Sequence, residues 1–138
     1  MSEKRKILLV DDDNLAAAAV EHVLVRAGYD VVTLDNGLAA LRWLETNSAD
    51  LILLDVVMPG LSGYDVCRRL RDNPDTRLTP IVFLTCKDRV KDMSEGMNAG
   101  SDLYLVKPVL AARLLKMLQM FLSTDLPLAR KRSPQPAI

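Results

Sequence analysis

Five short, mainly apolar runs recur along the chain, and each is followed by a segment in which apolar side chains have helical spacing. The runs cover residues 7–10, 30–34, 51–54, 81–84 and 103–106. They are rich in branched residues and too short for helices, which is typical of strands buried on both faces. Such alternation predicts an α/β fold, a doubly wound five-stranded parallel sheet with right-handed crossovers.

Apolar periodicity predicts a helix after each strand, and Gly28 and Gly100 stand where two of these helices should end. The side chains expected to face the sheet are Ala16, Val20, Val23, Leu24 and Ala27, then Leu38, Leu41 and Leu44, then Tyr64, Cys67 and Leu70, then Val90, Met93 and Met97, and finally Leu114, Leu118 and Phe121. Met93 and Met97 are thus interpreted as core residues.

Composition limits the function classes. Eighteen basic residues balance eighteen acidic ones, so the excess positive charge of a nucleic-acid-binding domain is missing and no nucleic-acid partner is expected. No apolar stretch approaches the roughly 18 residues of a membrane helix, and the charged N-terminus does not resemble a secretory signal. The two cysteines, Cys67 and Cys86, do not form a disulfide framework. We therefore expect a cytoplasmic protein without a membrane partner.

The length of 138 residues suits a single domain. We expect this domain to cover residues 6–122, because apolar periodicity stops there. Residues 123–138 are proline-rich and carry the basic run Arg130-Lys131-Arg132, which favours a flexible tail or linker over a nucleic-acid-binding arm. An output domain absent from this chain is one explanation of such a linker.

Polar side chains follow four of the predicted strands. They are Asp11 to Asp13, Asp55, Thr85 and Lys107. Ligands of doubly wound sheets bind outside the carboxyl ends of the strands, so these side chains should converge on one crevice if their strands are neighbours. Asp13 or Asn14 could instead cap the first helix. Asp55 taken alone could be solvated, although it directly completes the apolar run 51–54.

Carboxylates sharing a crevice repel one another by about 4 kcal/mol per pair at 4 Å and an effective dielectric constant near 20. Lys107 supplies one compensating charge, and a divalent cation with oxygen ligands would supply two more, which suits Mg²⁺. His22 is the only histidine, so a zinc site is not indicated. An aspartate beside bound Mg²⁺ can be a nucleophile toward phosphorus.

The chain resembles the CheY-like receiver domains of bacterial response regulators over about residues 6–122. The similar motifs are Ile7-Leu8-Leu9-Val10-Asp11-Asp12-Asp13, Asp55-Val56-Val57-Met58-Pro59-Gly60-Leu61-Ser62-Gly63, Thr85, and Tyr104-Leu105-Val106-Lys107-Pro108. Each motif is weak alone, but their order and spacing are specific. The resemblance implies a flavodoxin-like (βα)5 fold with strand order 2-1-3-4-5.

The resemblance also implies roles for single residues. Asp55 would accept a phosphoryl group from a sensor histidine kinase or a histidine phosphotransferase. Mg²⁺ would be held by Asp12 directly, by Asp11 largely through water, by Asp55, and by the backbone carbonyl of Val57. Lys107 and Thr85 would bind the phosphoryl group, and Tyr104 would turn inward as the loop after the fourth strand shifts. The Lys107-Pro108 peptide is expected to be cis.

By the same resemblance the chain is a signalling receiver that catalyses only its own phosphotransfer and autodephosphorylation, and it regulates a downstream protein or output domain. Three positions depart from the common pattern. Val57 cannot orient a water molecule, Cys86 adds bulk, and Lys87 carries positive charge, so we expect slow loss of phosphate. Leu103 replaces an acid that many DNA-binding relatives use in dimer contacts, which leaves the oligomeric state open.

Two alternatives from other classes remain. A phosphatase of the haloacid dehalogenase type could use Asp11 and Asp13, although Leu15 stands where that family has threonine or valine and the chain is short. A pseudo-receiver or flavin-binding module of the same fold would need no intact acidic pocket. Neither alternative explains Asp55, Thr85 and Lys107 together.

Overall fold

The computed structural model describes residues 4–123, in which five strands alternate with five helices. The strands are β1 (Lys6–Val10), β2 (Asp30–Leu34), β3 (Leu51–Leu54), β4 (Ile81–Thr85) and β5 (Leu103–Val106). The helices are α1 (Asn14–Arg26), α2 (Gly37–Thr46), α3 (Gly63–Asp72), α4 (Val90–Ala99) and α5 (Ala111–Leu122). The proposed tail, residues 123–138, lies outside the described residues except for Ser123.

All strand pairs are parallel, and their order in the sheet is β2-β1-β3-β4-β5. Both the fold class and the strand order predicted from the sequence are confirmed. Because β1 lies between β2 and β3, consecutive strands run outward in two directions from it. The carboxyl ends of β1, β3, β4 and β5 therefore form one continuous edge, which is where ligands of such sheets bind.

Each face of the sheet is covered by its own helices. Side chains from β1, β3 and β4 alternate between two apolar clusters, as Leu53 and Leu54 do on β3. One cluster contains buried side chains of α1 and α5, and the other contains those of α2, α3 and α4. Residues of β3 are fully buried, as expected for a central strand covered on both faces. No helix among residues 4–123 is long and apolar enough to cross a membrane.

The prediction for the core-facing side of α4 was wrong. Val90 and Met97 are 79% and 55% exposed, and the helix buries Asp92, Gly96 and Ala99 instead. The reason is the close approach of the helix to the sheet: a Cβ on Gly96 would lie only 2.7 Å from the Tyr104 ring. Small side chains permit this approach, so Val90 and Met97 face outward while Met93 is half-buried.

Helix α2 shows the same kind of shift. Leu38 is 49% exposed, whereas Gly37 and Ala40 are buried. Gly37 lies so close to Val66 of α3 that any side chain there would collide with it. Leu41 and Leu44 pack against the core as predicted. Ala27 is also exposed, because it is the C-cap of α1 rather than part of its buried face.

Candidate functional site

The carboxyl edge of the sheet carries the polar residues singled out in the sequence. Asp11 and Asp55 directly follow β1 and β3, Thr85 ends β4, and Lys107 directly follows β5. Asp11, Asp55 and Thr85 are buried, with 3%, 8% and 0% of their surfaces exposed. Burying three polar side chains at one edge is costly unless each has partners, so their contacts define a site.

Lys107 joins the two buried carboxylates. Its Nζ donates to Asp11 Oδ2 at 2.6 Å and to Asp55 Oδ2 at 3.2 Å. These contacts link residues 96 and 52 positions apart in the chain. Side-chain exposure is only 15% for the lysine and 4% and 10% for the acids, so solvent weakens these ion pairs less than it would on an open surface.

Burial and neighbouring charges shift the protonation equilibria of this group. Burial raises the pKa of Asp11 and the Asp55 charge adds to this, although Lys107 and the Asp13 N–H oppose it. Burial would lower the pKa of Lys107, but the hydrogen bond with Asp11 and the charges of Asp55 and Asp11 outweigh this effect and raise it. Lys107 is therefore an ammonium at neutral pH. The two acids, Asp11 and Asp55, still outnumber this one basic residue.

A third acid completes an oxygen-rich cluster. Asp11, Asp12 and Asp55 each offer a carboxylate oxygen, and these oxygens all lie within 4.8 Å of one another. Asp12 is exposed, so the cluster opens to solvent. Hard oxygen donors at this spacing, with room for water, fit the coordination preferences of Mg²⁺.

Asp13 takes a different role from its two neighbours. Its carboxylate accepts from the backbone N–H groups of Leu15 and Ala16, both at 3.1 Å, and so caps α1. The capping interpretation of Asp13 is confirmed, while Asn14 is the first helical residue rather than the cap. Two acids of the run thus contribute to the cluster, and the third stabilises the helix.

The loop after β3 is tied closely to α3. Gly63 donates its N–H to the Val56 carbonyl at 2.8 Å, and a Cβ on Gly63 would overlap the Asp55 carbonyl. Only glycine allows the helix to begin so near the loop. Val57, whose carbonyl was predicted to bind metal, lies in this loop with 56% of its surface exposed. Its N–H points toward Asp55 Oδ1 at 3.4 Å.

Thr85 and Tyr104 meet at the loop after β4. The Thr85 Oγ1 accepts from the Lys87 N–H at 3.3 Å, which leaves its own hydrogen available for a second partner. The Tyr104 hydroxyl donates to the Lys87 carbonyl at 2.9 Å, and its ring packs against Phe83. Tyr104 therefore points inward beneath α4. The Lys107-Pro108 peptide is cis, as predicted.

Comparison with known proteins agrees with this geometry. Residues 7–119 match the family described as response regulator receiver domain. The chain belongs to this family. Receiver domains are parts of two-component signalling proteins rather than metabolic enzymes, so the assignment argues against a haloacid dehalogenase-type phosphatase. Phosphorylation and Mg²⁺ binding are typical of the family.

Similar proteins include full-length regulators and single receivers. The chain is 42% identical over 104 residues to the alkaline phosphatase synthesis transcriptional regulatory protein PhoP of Bacillus subtilis, covering 75% of this chain and 42% of PhoP. It spans about half the length, or less, of the curated relatives it matches. The chemotaxis response regulator CheY4 of Vibrio cholerae has a TM-score of 0.81 and 35% identity, over 87% of this chain and 100% of CheY4.

A further solved structure bears on the metal. The receiver domain of sensor histidine kinase PA1611 from Pseudomonas aeruginosa has a TM-score of 0.80 and 34% identity, over 86% of this chain and 97% of that domain. That structure contains a magnesium ion coordinated in the active site cleft.

Two residues that were not predicted from the sequence border this receiver site. The Asp92 carboxylate pairs with Lys87 in the loop after β4, and the Tyr64 hydroxyl donates to the Asp92 carbonyl in the first turn of α4. An acid at the third position of a helix is a recognisable capping signal. That signal was present at Asp92, whereas the contacts of Tyr64 depend on tertiary packing.

Because Asp12 and Asp13 have different surroundings, we expect one substitution to reduce Mg²⁺ affinity and the other to reduce the stability of the fold. Asp12→Ala should weaken Mg²⁺ binding by about tenfold or more, because it removes a cluster oxygen. Asp13→Ala should leave binding nearly unchanged but cost about 1 kcal/mol of folding free energy through loss of the cap. Calorimetric titration with Mg²⁺ and urea unfolding measure the two quantities. Equal losses of Mg²⁺ affinity in both variants would contradict this assignment.

Proposed function

We propose that this receiver domain accepts a phosphoryl group from a phosphohistidine donor onto Asp55 and thereby switches the conformation that a downstream partner recognises. The observation that carries the proposal is the placement of Asp55. Its carboxylate lies at the carboxyl edge of the sheet, shares the Lys107 ammonium with Asp11, and belongs to the three-acid cluster. An aspartate so placed can attack phosphorus while nearby cations stabilise the transferred group.

In this proposal Mg²⁺ is held by Asp11, Asp12, Asp55 and the Val57 carbonyl, and when bound it supplies positive charge against the phosphoryl oxygens. The Asp55 carboxylate oxygen forms a bond to phosphorus as the bond from phosphorus to the donor imidazole nitrogen breaks. The imidazole keeps that electron pair. Lys107, already an ammonium, moves its hydrogen bonds toward the phosphoryl oxygens.

The transferred phosphoryl group then changes the conformation of the loop after β4. The Thr85 hydroxyl has a hydrogen available for a phosphoryl oxygen, and it also accepts from the Lys87 N–H. A shift of Thr85 toward the phosphoryl group therefore moves the backbone of Lys87, whose carbonyl holds the Tyr104 hydroxyl. We propose that Thr85 and Tyr104 form this switch, a two-state element whose populations follow the new charge.

The proposed phosphodonor is a sensor histidine kinase or a histidine phosphotransferase. Leu15, Val57 and Leu110 are 85%, 56% and 78% exposed, and all three lie in or beside loops at the carboxyl edge of the sheet. Exposed apolar side chains around a polar cleft favour docking of a protein rather than of a small substrate. Because phosphohistidine is made from ATP, we place the protein in the cytoplasm.

The proposed domain covers residues 6–122, and residues 123–138 would link it to an output domain or end it. The downstream partner is a separate protein or an output domain of the kind that the longer relatives have room for. Among the curated relatives are transcriptional regulators. For this chain we propose no direct binding to nucleic acid and no membrane association, since its basic and acidic residues balance.

Phosphotransfer profiling against purified histidine kinases tests the function. With Mg²⁺ present, one or a few radiolabelled kinases should lose their label to the chain within minutes, and Asp55 should carry it. Leu15→Glu should slow transfer from the kinase by about tenfold but leave labelling by a small phosphodonor unchanged. Slower labelling from both donors would indicate damage to the pocket rather than to a docking surface.

The proposed autodephosphorylation should be slow. Val57 offers no hydrogen-bonding group to a water molecule behind the phosphorus, and Lys87 is a cation where an acid or amide could orient that water. Exchanging Val57 for Asn and Lys87 for Glu should therefore speed phosphate loss by about tenfold or more, a barrier change of roughly 1.4 kcal/mol. Release of label from the phosphorylated protein at matched Mg²⁺ measures this rate.

Lys87→Met with Val57→Leu is the matched control, because it alters the same two side chains without adding a group that can orient water. It should lose phosphate more slowly than the Asn and Glu variant. If both double variants lose phosphate at the rate of the parent, water access does not limit this reaction.

A further inference from the structure

Two tyrosine hydroxyls hold the loop after β4 and the first turn of α4. Tyr104 donates to the Lys87 carbonyl and Tyr64 donates to the Asp92 carbonyl, each at 2.9 Å. Both rings pack against Phe83, with centroid distances of 5.7 Å and 5.4 Å. The backbone positions of Lys87 and Asp92 are therefore both fixed against the same aromatic cluster.

Asp92 is a buried acid outside the phosphoacceptor cluster, with 5% of its surface exposed. Its Oδ2 accepts from the N–H and the Nε of Arg89 at 3.2 and 3.3 Å, and its Oδ1 lies 3.7 Å from the Lys87 Nζ. Burial alone would raise the pKa of Asp92, but the Arg89 hydrogen bonds and the Lys87 charge outweigh it and lower the pKa. Asp92 is thus ionised at neutral pH.

A helix cap explains only part of this arrangement. The bond from the Arg89 N–H to Oδ2 is the capping contact expected of an acid at this position. The second oxygen, Oδ1, faces Lys87, which is five residues earlier and lies outside the helix. A cap needs no such contact, so the pairing with Lys87 calls for its own explanation.

Lys87 borders the phosphoacceptor site, since its N–H donates to Thr85 Oγ1. We infer that Asp92 is a positioning residue that holds the Lys87 ammonium away from this site and competes for it with the phosphoryl group. The inference rests on the proposed phosphorylation of Asp55. When Asp92 retains Lys87, the phosphoryl oxygens lose one countercharge and the approach of water is less obstructed.

Asp92→Asn isolates the charge, because asparagine keeps the oxygen that caps α4 and nearly the same shape. We expect phosphate loss to slow by about threefold or more in this variant, since the freed ammonium pairs with the phosphoryl group. In a Lys87→Met background the same exchange should have no effect on the rate. Glu95→Gln is the matched control, since it removes an α4 acid that pairs with Arg68 on the surface.

The ion pair between Asp92 and Lys87 can be tested in the unphosphorylated protein. The side-chain ammonium resonance of Lys87, assigned by its loss in Lys87→Met, should shift in Asp92→Asn and stay in place in Glu95→Gln. An unshifted resonance, or an equal change of dephosphorylation rate with and without Lys87, would overturn the role of Asp92. A parent protein that takes no label at Asp55 would instead refute the proposed function, while the resonance still decides whether Asp92 binds Lys87.

Discussion

Asp55→Asn is expected to abolish phosphorylation by a small phosphodonor such as acetyl phosphate, whereas the parent becomes labelled only when a divalent cation is present. Labelling should fall by about two orders of magnitude or more, because an amide cannot replace the attacking carboxylate oxygen. The requirement for Mg²⁺ follows from the charge of the site, where Lys107 pairs with only two of the three clustered acids and an incoming phosphoryl group adds further negative charge. Intact-protein mass spectrometry measures the labelled fraction.

Asp13→Asn is the matched control, because it neutralises a nearby acid while asparagine still caps α1. It should label like the parent. Full labelling of Asp55→Asn on another residue would refute the assignment of Asp55. A parent that neither binds Mg²⁺ nor takes label would favour the pseudo-receiver alternative, which needs no acidic pocket.

The sequence was sufficient to predict the sheet, for a physical reason. Strands covered on both faces must be apolar throughout, so the runs at β3 and β4 stand out against the helices between them. The convergence of Asp55 and Lys107 could then be predicted as well. In a parallel sheet every carboxyl end lies at the same edge, so knowing the strand ends was enough to bring distant residues together.

The packing of α4 could not be predicted in this way. Apolar spacing suggested that Met97 faces the core, but the sheet-facing side is set by how closely the helix approaches Tyr104 and Phe83. Gly96 permits that approach, and a glycine adds nothing to a count of apolar side chains. The same face of α4 buries Asp92, although its place as the third residue of the helix was a capping signal already present in the sequence.

Arg71 likewise gave no signal in the sequence, yet its guanidinium makes five hydrogen bonds to described residues. It donates to the carbonyls of Gly100 at 2.8 Å, Thr79 at 2.7 Å, Arg77 at 3.0 Å and Thr76 at 3.4 Å, and to Asp102 Oδ2 at 2.9 Å. These contacts join α3 to the loops that precede β4 and β5, at the edge of the sheet opposite Asp55.

Arg71→Met is therefore expected to lower the free energy of unfolding by roughly 3 kcal/mol, close to the loss seen when one partner of a buried ion pair is removed. Methionine keeps much of the apolar stem but leaves the Asp102 carboxylate, only 12% exposed, without this countercharge. The four carbonyl oxygens lose the guanidinium donor at the same time, although the Thr76 carbonyl keeps the Thr79 N–H. Urea unfolding at neutral pH measures the change, and the slope with denaturant should match that of the parent.

Arg68→Met is the control. It shows whether destabilisation by Arg71→Met comes from the particular contacts of Arg71 or from the loss of an arginine on α3. Arg68 lies three residues earlier and pairs with Asp65 at 3.5 Å and Glu95 at 3.4 Å, with about half of each side chain exposed. Such surface pairs contribute only about 0–1 kcal/mol. Equal destabilisation by both variants would show that the Arg71 contacts add little. Because the Arg71 contacts lie far from Asp55, a folded Arg71→Met variant should still take label at Asp55, which would separate the stability of this domain from its chemistry.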